Sequence, residues 1–281
     1  MNEDGTVNRA ALPAIFNPED LNALEMALQI KDKYGGTVTV ITMGLPAASR
    51  VLRESLFRGA DDAVLITDRR AAASDTLATS YITSCAVRKF EYDIVLCGRQ
   101  AIDGDTAQVG PQCAEKLGIA QITYVEELIE INDKAIVVRR NMGNGWQQVK
   151  AKLPVLLTVT DAANVPRVSA GKRLMKYKNA RTPGEVAAEV KAANPTTDEA
   201  KLAQLAESAC NALKTKGLLI KQWDLDYLKA DMQWCGREGS PTKVHRIQSV
   251  VLAAKETKMV EPTEAGITAM VHELIKDSTI A

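Results

Sequence analysis

Residues 38–67 read VTVITMGLPAASRVLRESLFRGADDAVLIT, and the order of textures within them decides the fold. The run 38–43 is β-branched and nearly free of polar groups, the pattern of a strand covered on both faces. Gly44 ends it. Residues 49–58 then take helical spacing, Gly59 punctuates, and residues 63–67 form a second apolar run. Strand, helix and strand in this order predict a βαβ unit with its two strands parallel.

The same alternation extends in both directions. Upstream, Asn17-Pro18-Glu19-Asp20 offers an N-cap, a proline at the first helical position and first-turn acids, followed by an apolar stripe at Leu21, Leu24, Ala27 and Leu28. A helix is expected to about Lys33, where Gly35 and Gly36 break it. Downstream, residues 74–90 predict a longer helix and residues 94–97 a third strand. Ligands of such a sheet sit at the carboxyl ends of its strands, here Gly44, Thr67 and Gly98.

After residue 120 the texture changes to strand-like stretches at 122–125, 135–140, 147–152 and 155–160, with a Gly143-Asn144-Gly145 turn, which predicts a hairpin extension. Residues 167–181 hold six basic residues and no acid, and the stripe 172–181 reads as a solvated helix face. Residues 182–217 read as a helical insertion, broken at Asn194-Pro195 and restarted by Thr197 or Asp198 as N-cap. Residues 223–244 read as a loop with two tryptophans, and residues 262–275 as a closing helix. The expected class is α/β, a three-layer Rossmann-like parallel sheet with a β-hairpin extension and a C-terminal arm. Three segments are expected: a nucleotide-binding domain at 1–166, the basic segment and insertion at 167–222, and a docking loop with the arm at 223–281.

Composition narrows function. Lys plus Arg and Asp plus Glu both number 35, so no overall field grips a nucleic acid or an anionic membrane. The longest apolar runs fall far short of the roughly 18 residues a spanning helix needs. The first residues carry Glu3 and Asp4 and no apolar core of a secretory signal, which predicts a cytoplasmic protein. Five widely spaced cysteines suit neither a disulfide framework nor a CxxC metal site. His245 and His272 are the sole imidazoles, so metal hydrolysis and Ser/His catalysis lack their parts.

The distinctive stretch is residues 98–118, GRQAIDGDTAQVGPQCAEKLG, leaving a buried strand and entering a helix. Gly98 permits close approach, Asp103 or Asp105 can accept from hydroxyls or cap the helix, Gln108 can reach back with its amide, and the helix N-terminus can hold a phosphate. A solvated loop with a capping aspartate explains the same residues. GxGxxG, GxxxxGK and GxSxG are all absent, and no lysine follows the loop, so binding fits better than phosphoryl transfer. Cys97 has no neighbouring base and reads as a core thiol.

In order along the chain, NPED at Asn17, VTVITMG at Val38, GADDAVLIT at Gly59, CGRQAIDGDTAQVGP at Cys97, KLPVLLTVTDAANVPR at Lys152 and GSPTKV at Gly239 resemble the beta subunit of electron transfer flavoprotein. That resemblance implies an adenine-nucleotide site built from Asn17, Gly44, Gly98, Arg99, Gln100, Asp103, Gly104, Asp105, Thr106, Gln108 and Gly110. It implies a partner alpha subunit carrying FAD, and electron exchange with an acyl-CoA or other flavin dehydrogenase, with Leu228 in the position of a docking leucine. It places no bond chemistry on this chain alone. Small residues at Gly104, Thr106 and Ala107 resemble the flavin-bifurcating members, which implies a second FAD rather than AMP in this subunit and NADH as donor. Beta subunits of the family begin with a strand bearing a Lys-Gln-Val-Pro-like loop, whereas this chain starts at Met1-Asn2-Glu3-Asp4-Gly5; one wall of the pocket is therefore expected to be missing. The alternative class is a stand-alone adenine-nucleotide sensor or an ATP-pyrophosphatase-like enzyme, since one fold hosts all of these.

Overall fold

The computed structural model describes residues 14–243 and 258–277, which fall into two compact units, one ending at Lys243 and one beginning at Val244. The chain start at Met1 and the imidazole of His245 lie outside the described residues. The first unit contains α1 (Pro18–Tyr34), β1 (Thr39–Met43), α2 (Ser49–Arg58), β2 (Asp62–Ile66), α3 (Thr76–Val87) and β3 (Ile94–Gly98). It continues with α4 (Val109–Leu117), β4 (Ala120–Asn132), β5 (Ala135–Asn141), β6 (Trp146–Lys152) and β7 (Val155–Val159). The last elements of that unit are α5 (Gly171–Tyr177), α6 (Pro183–Ala193), α7 (Glu199–Thr215), β8 (Lys221–Trp223) and α8 (Leu225–Leu228). The second unit holds α9 (Glu264–Lys276), which carries Ile267, Met270, Val271 and Ile275 along one face.

Local chemistry explains most boundaries. The Asp75 side chain accepts from the Ala78 N–H and starts α3; Asp198 accepts from Lys201 and starts α7. Thr182 and Glu185 form a reciprocal capping box at α6, and Glu185 also binds Ser49 and Arg53 of α2, which ties the insertion to the sheet domain. The segment 167–222 accordingly packs within the same unit as the sheets.

The strands form two hydrogen-bonded sheets rather than one. β1, β2 and β8 are mutually parallel in the order β1-β2-β8, and the second sheet runs β3-β7-β4-β5-β6. In it β3, β7 and β4 are parallel, whereas β4, β5 and β6 form the antiparallel extension expected around the Gly143 turn. Among the described strands, β1 and β3 each have a neighbour on one side only. Apart from Gly98, their residues stay partly exposed, where those of β7 and, beyond Asp62, of β2 are buried. α1 spans the division: Ala23 and Met26 pack with Val155, Leu157 and Val159, while Leu24 and Leu28 pack with Leu52 and Leu65.

Two expectations change. β8 lies at the edge of the stretch read as loop; three residues are too few to show a period. The stripe 172–181 is not simply a solvated face: Arg173 donates to the carbonyls of Leu56 and Ala60 at the end of α2, and just upstream Arg167 pairs with Glu25 at 2.8 Å and Asp32 at 2.9 Å. A guanidinium there satisfies carbonyls that the helix leaves without N–H partners.

Candidate functional site

β3 ends at Gly98, buried under the first turn of α1. A Cβ at Gly98 would lie 2.6 Å from the backbone nitrogen of Asp20 and 2.8 Å from the carbonyl carbon of Glu19, so only glycine allows this approach. Gly110 plays the same part in α4: a Cβ there would meet Cys97 Sγ at 2.8 Å and Thr158 Cγ2 at 2.9 Å. Both glycines are packing requirements that shape the loop between them.

The loop is held from α1. Asn17 stands at the N-cap position but caps nothing; its amide donates to the Gln100 carbonyl at 2.9 Å and to Asp20 at 3.0 Å, and its Oδ1 accepts from the Ile102 N–H at 3.1 Å. Glu19 accepts from the Gln100 N–H at 3.0 Å and pairs with Arg99 at 3.0 Å, and the Arg99 guanidinium lies over the Tyr124 ring. Within the loop, Gln100 donates its side-chain amide to Asp105, and the Asp105 N–H donates to the Ala101 carbonyl. Asp105 (φ 49°) and Ala107 (φ 54°) both take left-handed backbone, a conformation disfavoured for residues with a Cβ and least so for Asp and Asn. Asp103, Gly104 and Thr106 are exposed along its rim. Gly44 closes β1 and donates its N–H to Ile66.

The loop delivers the chain to an open helix end. No side chain caps α4; its N-cap residue, Gln108, instead accepts at Oε1 from the Thr76 hydroxyl at 2.9 Å. Thr76 is the first residue of α3, so the N-termini of α3 and α4 meet beside the carboxyl end of β3. Gln112 donates to Thr76 at 3.4 Å, and its Oε1 is buried without a hydrogen-bond partner. The uncapped N–H groups at the start of α4 favour an anion, whereas the Asp75 carboxylate already caps α3. Asp75 tethers the segment at Gly239 to α3, accepting from the Thr242 N–H at 3.0 Å and its hydroxyl at 2.6 Å, while the Asp75 N–H donates to Ser240.

Burial pushes the Asp20 carboxyl above the usual range, although the Gly98 N–H and the Asn17 amide oppose it; the neighbouring Glu19 adds to the rise. At Asp75 burial also disfavours the charge, but the N–H groups of Ala78 and Thr242 and the Thr242 hydroxyl outweigh it and hold the carboxyl below its usual value. Burial pushes the Cys97 thiol well up and that of Cys113 up to about 11. Neither is an activated nucleophile.

All of Asn17, Gly98, Arg99, Gln100, Asp105, Gln108 and Gly110 thus lie at one end of the second sheet, with Asp103, Gly104 and Thr106 on the same loop. Glu19, Asp20, Thr76 and Gln112 complete the site and escaped sequence reasoning, because each looks locally like an ordinary helix residue. Leu228 is different. It is 4% exposed in a core with Val64, Ile66, Ile82, Trp223 and Leu225, so it packs the sheet rather than presenting a docking side chain. The apolar surface of that segment belongs to Tyr227, Met232 and Trp234.

Residues 4–199 match the family described as the electron transfer flavoprotein domain. The electron transfer flavoprotein subunit beta of Clostridium acetobutylicum is 38% identical over 276 residues, covering 98% of this chain and 92% of that one. The protein of the same name from Thermoanaerobacterium thermosaccharolyticum is 51% identical over 174 residues, 62% of this chain and 66% of its own. Caffeyl-CoA reductase-Etf complex subunit CarD of Acetobacterium woodii is 49% identical over 177 residues, 62% of this chain and 67% of its own.

Proposed function

The chain belongs to the electron transfer flavoprotein family, alongside its beta subunits, and from that membership we propose that it binds an adenine nucleotide at the carboxyl end of β3 and pairs with an FAD-carrying alpha subunit. The observation that carries this reading is the meeting of the α3 and α4 N-termini through Thr76 and Gln108 beside an uncapped helix. The α4 N–H groups and Thr106 would face the phosphates, and Gln108 and Gln112 would stand beside them. Asp103 and Asp105 lie where ribose hydroxyls need acceptors. Bound FAD supplies the redox chemistry; this chain binds it, orients it and excludes water. The stand-alone sensor and the pyrophosphatase-like enzyme give way to family membership.

The nucleotide in this subunit is read as a second FAD, with NADH as donor and a CoA-ester dehydrogenase or reductase as partner. Two observations favour it: the loop rim at Gly104 and Thr106 is small and exposed, and a relative half-identical over its aligned stretch is named for a caffeyl-CoA reductase complex. The exposed apolar face of α9 supports pairing with another chain. Among the described residues no helix is long and apolar enough to cross a membrane. Co-expression with the alpha subunit, followed by an absorbance spectrum and acid extraction, tests the reading. A yellow heterodimer releasing two FAD supports it; one FAD with one AMP rejects the second flavin, and a colourless chain that takes up no nucleotide rejects the whole.

A further inference from the structure

The loop 98–102 is held chiefly by the first turn of a helix that begins some eighty residues earlier in the chain. In the second sheet, the Arg99 N–H donates to the Val159 carbonyl of β7. Alternate residues of a strand point their N–H groups to opposite sides, so the Gly98 N–H points away from β7, to the side of β3 on which no described strand lies. Asp20 Oδ1 accepts that N–H at 2.6 Å. Its Oδ2 accepts from Asn17, and Asn17 in turn holds both the Gln100 carbonyl and the Ile102 N–H. Glu19 takes the Gln100 N–H and the Arg99 guanidinium. Without these side chains, the Gly98, Gln100 and Ile102 N–H groups and the Gln100 carbonyl would need water as their partner.

Asp20 itself is an expensive residue to keep here. Asp20 is partly buried, and no Lys, Arg or His forms an ion pair with it among the described residues. A buried carboxylate without a cation lowers stability unless hydrogen bonds offset it. A helix needs no acid at this point, because Glu19 already supplies first-turn negative charge.

We propose that Asn17, Glu19 and Asp20 form a latch that fixes the loop 98–102 in its nucleotide-receiving shape, with Asp20 as the central positioning residue. This rests on the reading that the loop receives an adenine nucleotide. Asp20 touches no ligand; it acts through the Gly98 amide. Releasing it lets the strand end and the loop move, and the ligand groups on Asp103, Asp105 and Thr106 lose their alignment.

The test uses the full chain labelled with 15N-glycine, and AMP as the probe. In the wild type the Gly98 amide proton resonates far downfield, as a short N–H to carboxylate contact requires. Asp20→Leu loses that downfield signal and weakens AMP binding on the order of ten-fold, the loss of one charge-assisted hydrogen bond. Asp20→Asn keeps a carbonyl oxygen for Gly98 and recovers much of the affinity; a residue needed merely for folding would show melting temperature and affinity falling together in both variants. Asn17→Ala provides a second arm should Asp20→Leu fail to fold, and is expected to weaken AMP to a similar degree with the Gly98 signal retained. AMP affinity within two-fold of wild type in folded Asp20→Leu, or in Asn17→Ala if the former does not fold, overturns the latch and leaves the nucleotide site standing. A wild-type chain that binds neither AMP nor FAD overturns both.

Discussion

The Thr76 hydroxyl donates to Oε1 of Gln108 across 2.9 Å, joining the first residue of α3 to the N-cap position of α4 although 32 positions separate them in the chain. That contact sets the two helix N-termini side by side. Thr76→Val preserves shape and removes the donor, so the expected result is a fold of near-normal stability with nucleotide affinity reduced a few-fold, since a neutral hydrogen bond contributes about 1 kcal/mol. Calorimetric titration with AMP, beside a thermal melt, checks it; unchanged affinity would make the contact incidental.

Asp105 combines a left-handed backbone with a carboxylate that accepts from Gln100. The two features separate by substitution. Asp105→Gly relieves the backbone but deletes the carboxylate, whereas Asp105→Ala deletes the carboxylate and keeps the strain, about 1 kcal/mol. Both should lose nucleotide retention relative to Asp93→Ala, an exposed position before β3, and the alanine variant should also melt lower than the glycine one. Equal retention in all three would remove Asp105 from the site.

Gly110→Ala forces a methyl into contact with Cys97 and Thr158, an overpacking that costs about 1–3 kcal/mol. Adding Cys97→Ala removes the nearer obstruction at 2.8 Å and is expected to restore part of the loss, leaving the Thr158 contact. Gly98→Ala meets backbone atoms of Asp20 and Glu19, which cannot rotate aside, so it should be the more damaging change. Urea midpoints of the three variants give the ranking; a harmless Gly98→Ala would refute the close approach of α1.

Leu228→Ala should lower stability by about 2–5 kcal/mol, as a buried leucine in a packed core does. Tyr227→Ala, at a half-exposed ring stacked on Trp223, should cost less. If denaturant unfolding reverses this order, the assignment of Leu228 to the core fails.

The Arg70 guanidinium, through its hydrogen bonds to Asp68, holds the Asp68 carboxyl down to about 2, from an ordinary 3.8. The folded value lies below the unfolded one, so the carboxylate stabilises the fold above pH 3.8 and that contribution disappears as pH falls toward 2. Asp68→Asn should therefore be less stable than wild type at neutral pH, with the difference shrinking through this window. A gap in urea midpoint that stays constant from pH 6 to about pH 2 would contradict the ion pair's role.

Sequence alone determined the features whose physics is local. Helix α2 falls where Ser49 and Gly59 bracket it, α7 starts at Asp198, and the antiparallel extension turns at Gly143, because capping, left-handed glycine and apolar period act over a few residues. The strand-to-helix connection at Gly98 was legible too, while its residues alone left a nucleotide loop and a solvated loop with a capping aspartate equally open. Tertiary structure alone decided the division into two sheets, the pairing of β8 with β2, the burial of Leu228 and the second life of α1's first turn. Glu19 and Asp20 satisfy the local rule for helix starts, so nothing near them in the chain signals another task. Their partners at Gly98, Arg99 and Gln100 are chosen by burial and by donors left unpaired at the side of β3, and those exist only once the chain has brought distant residues together.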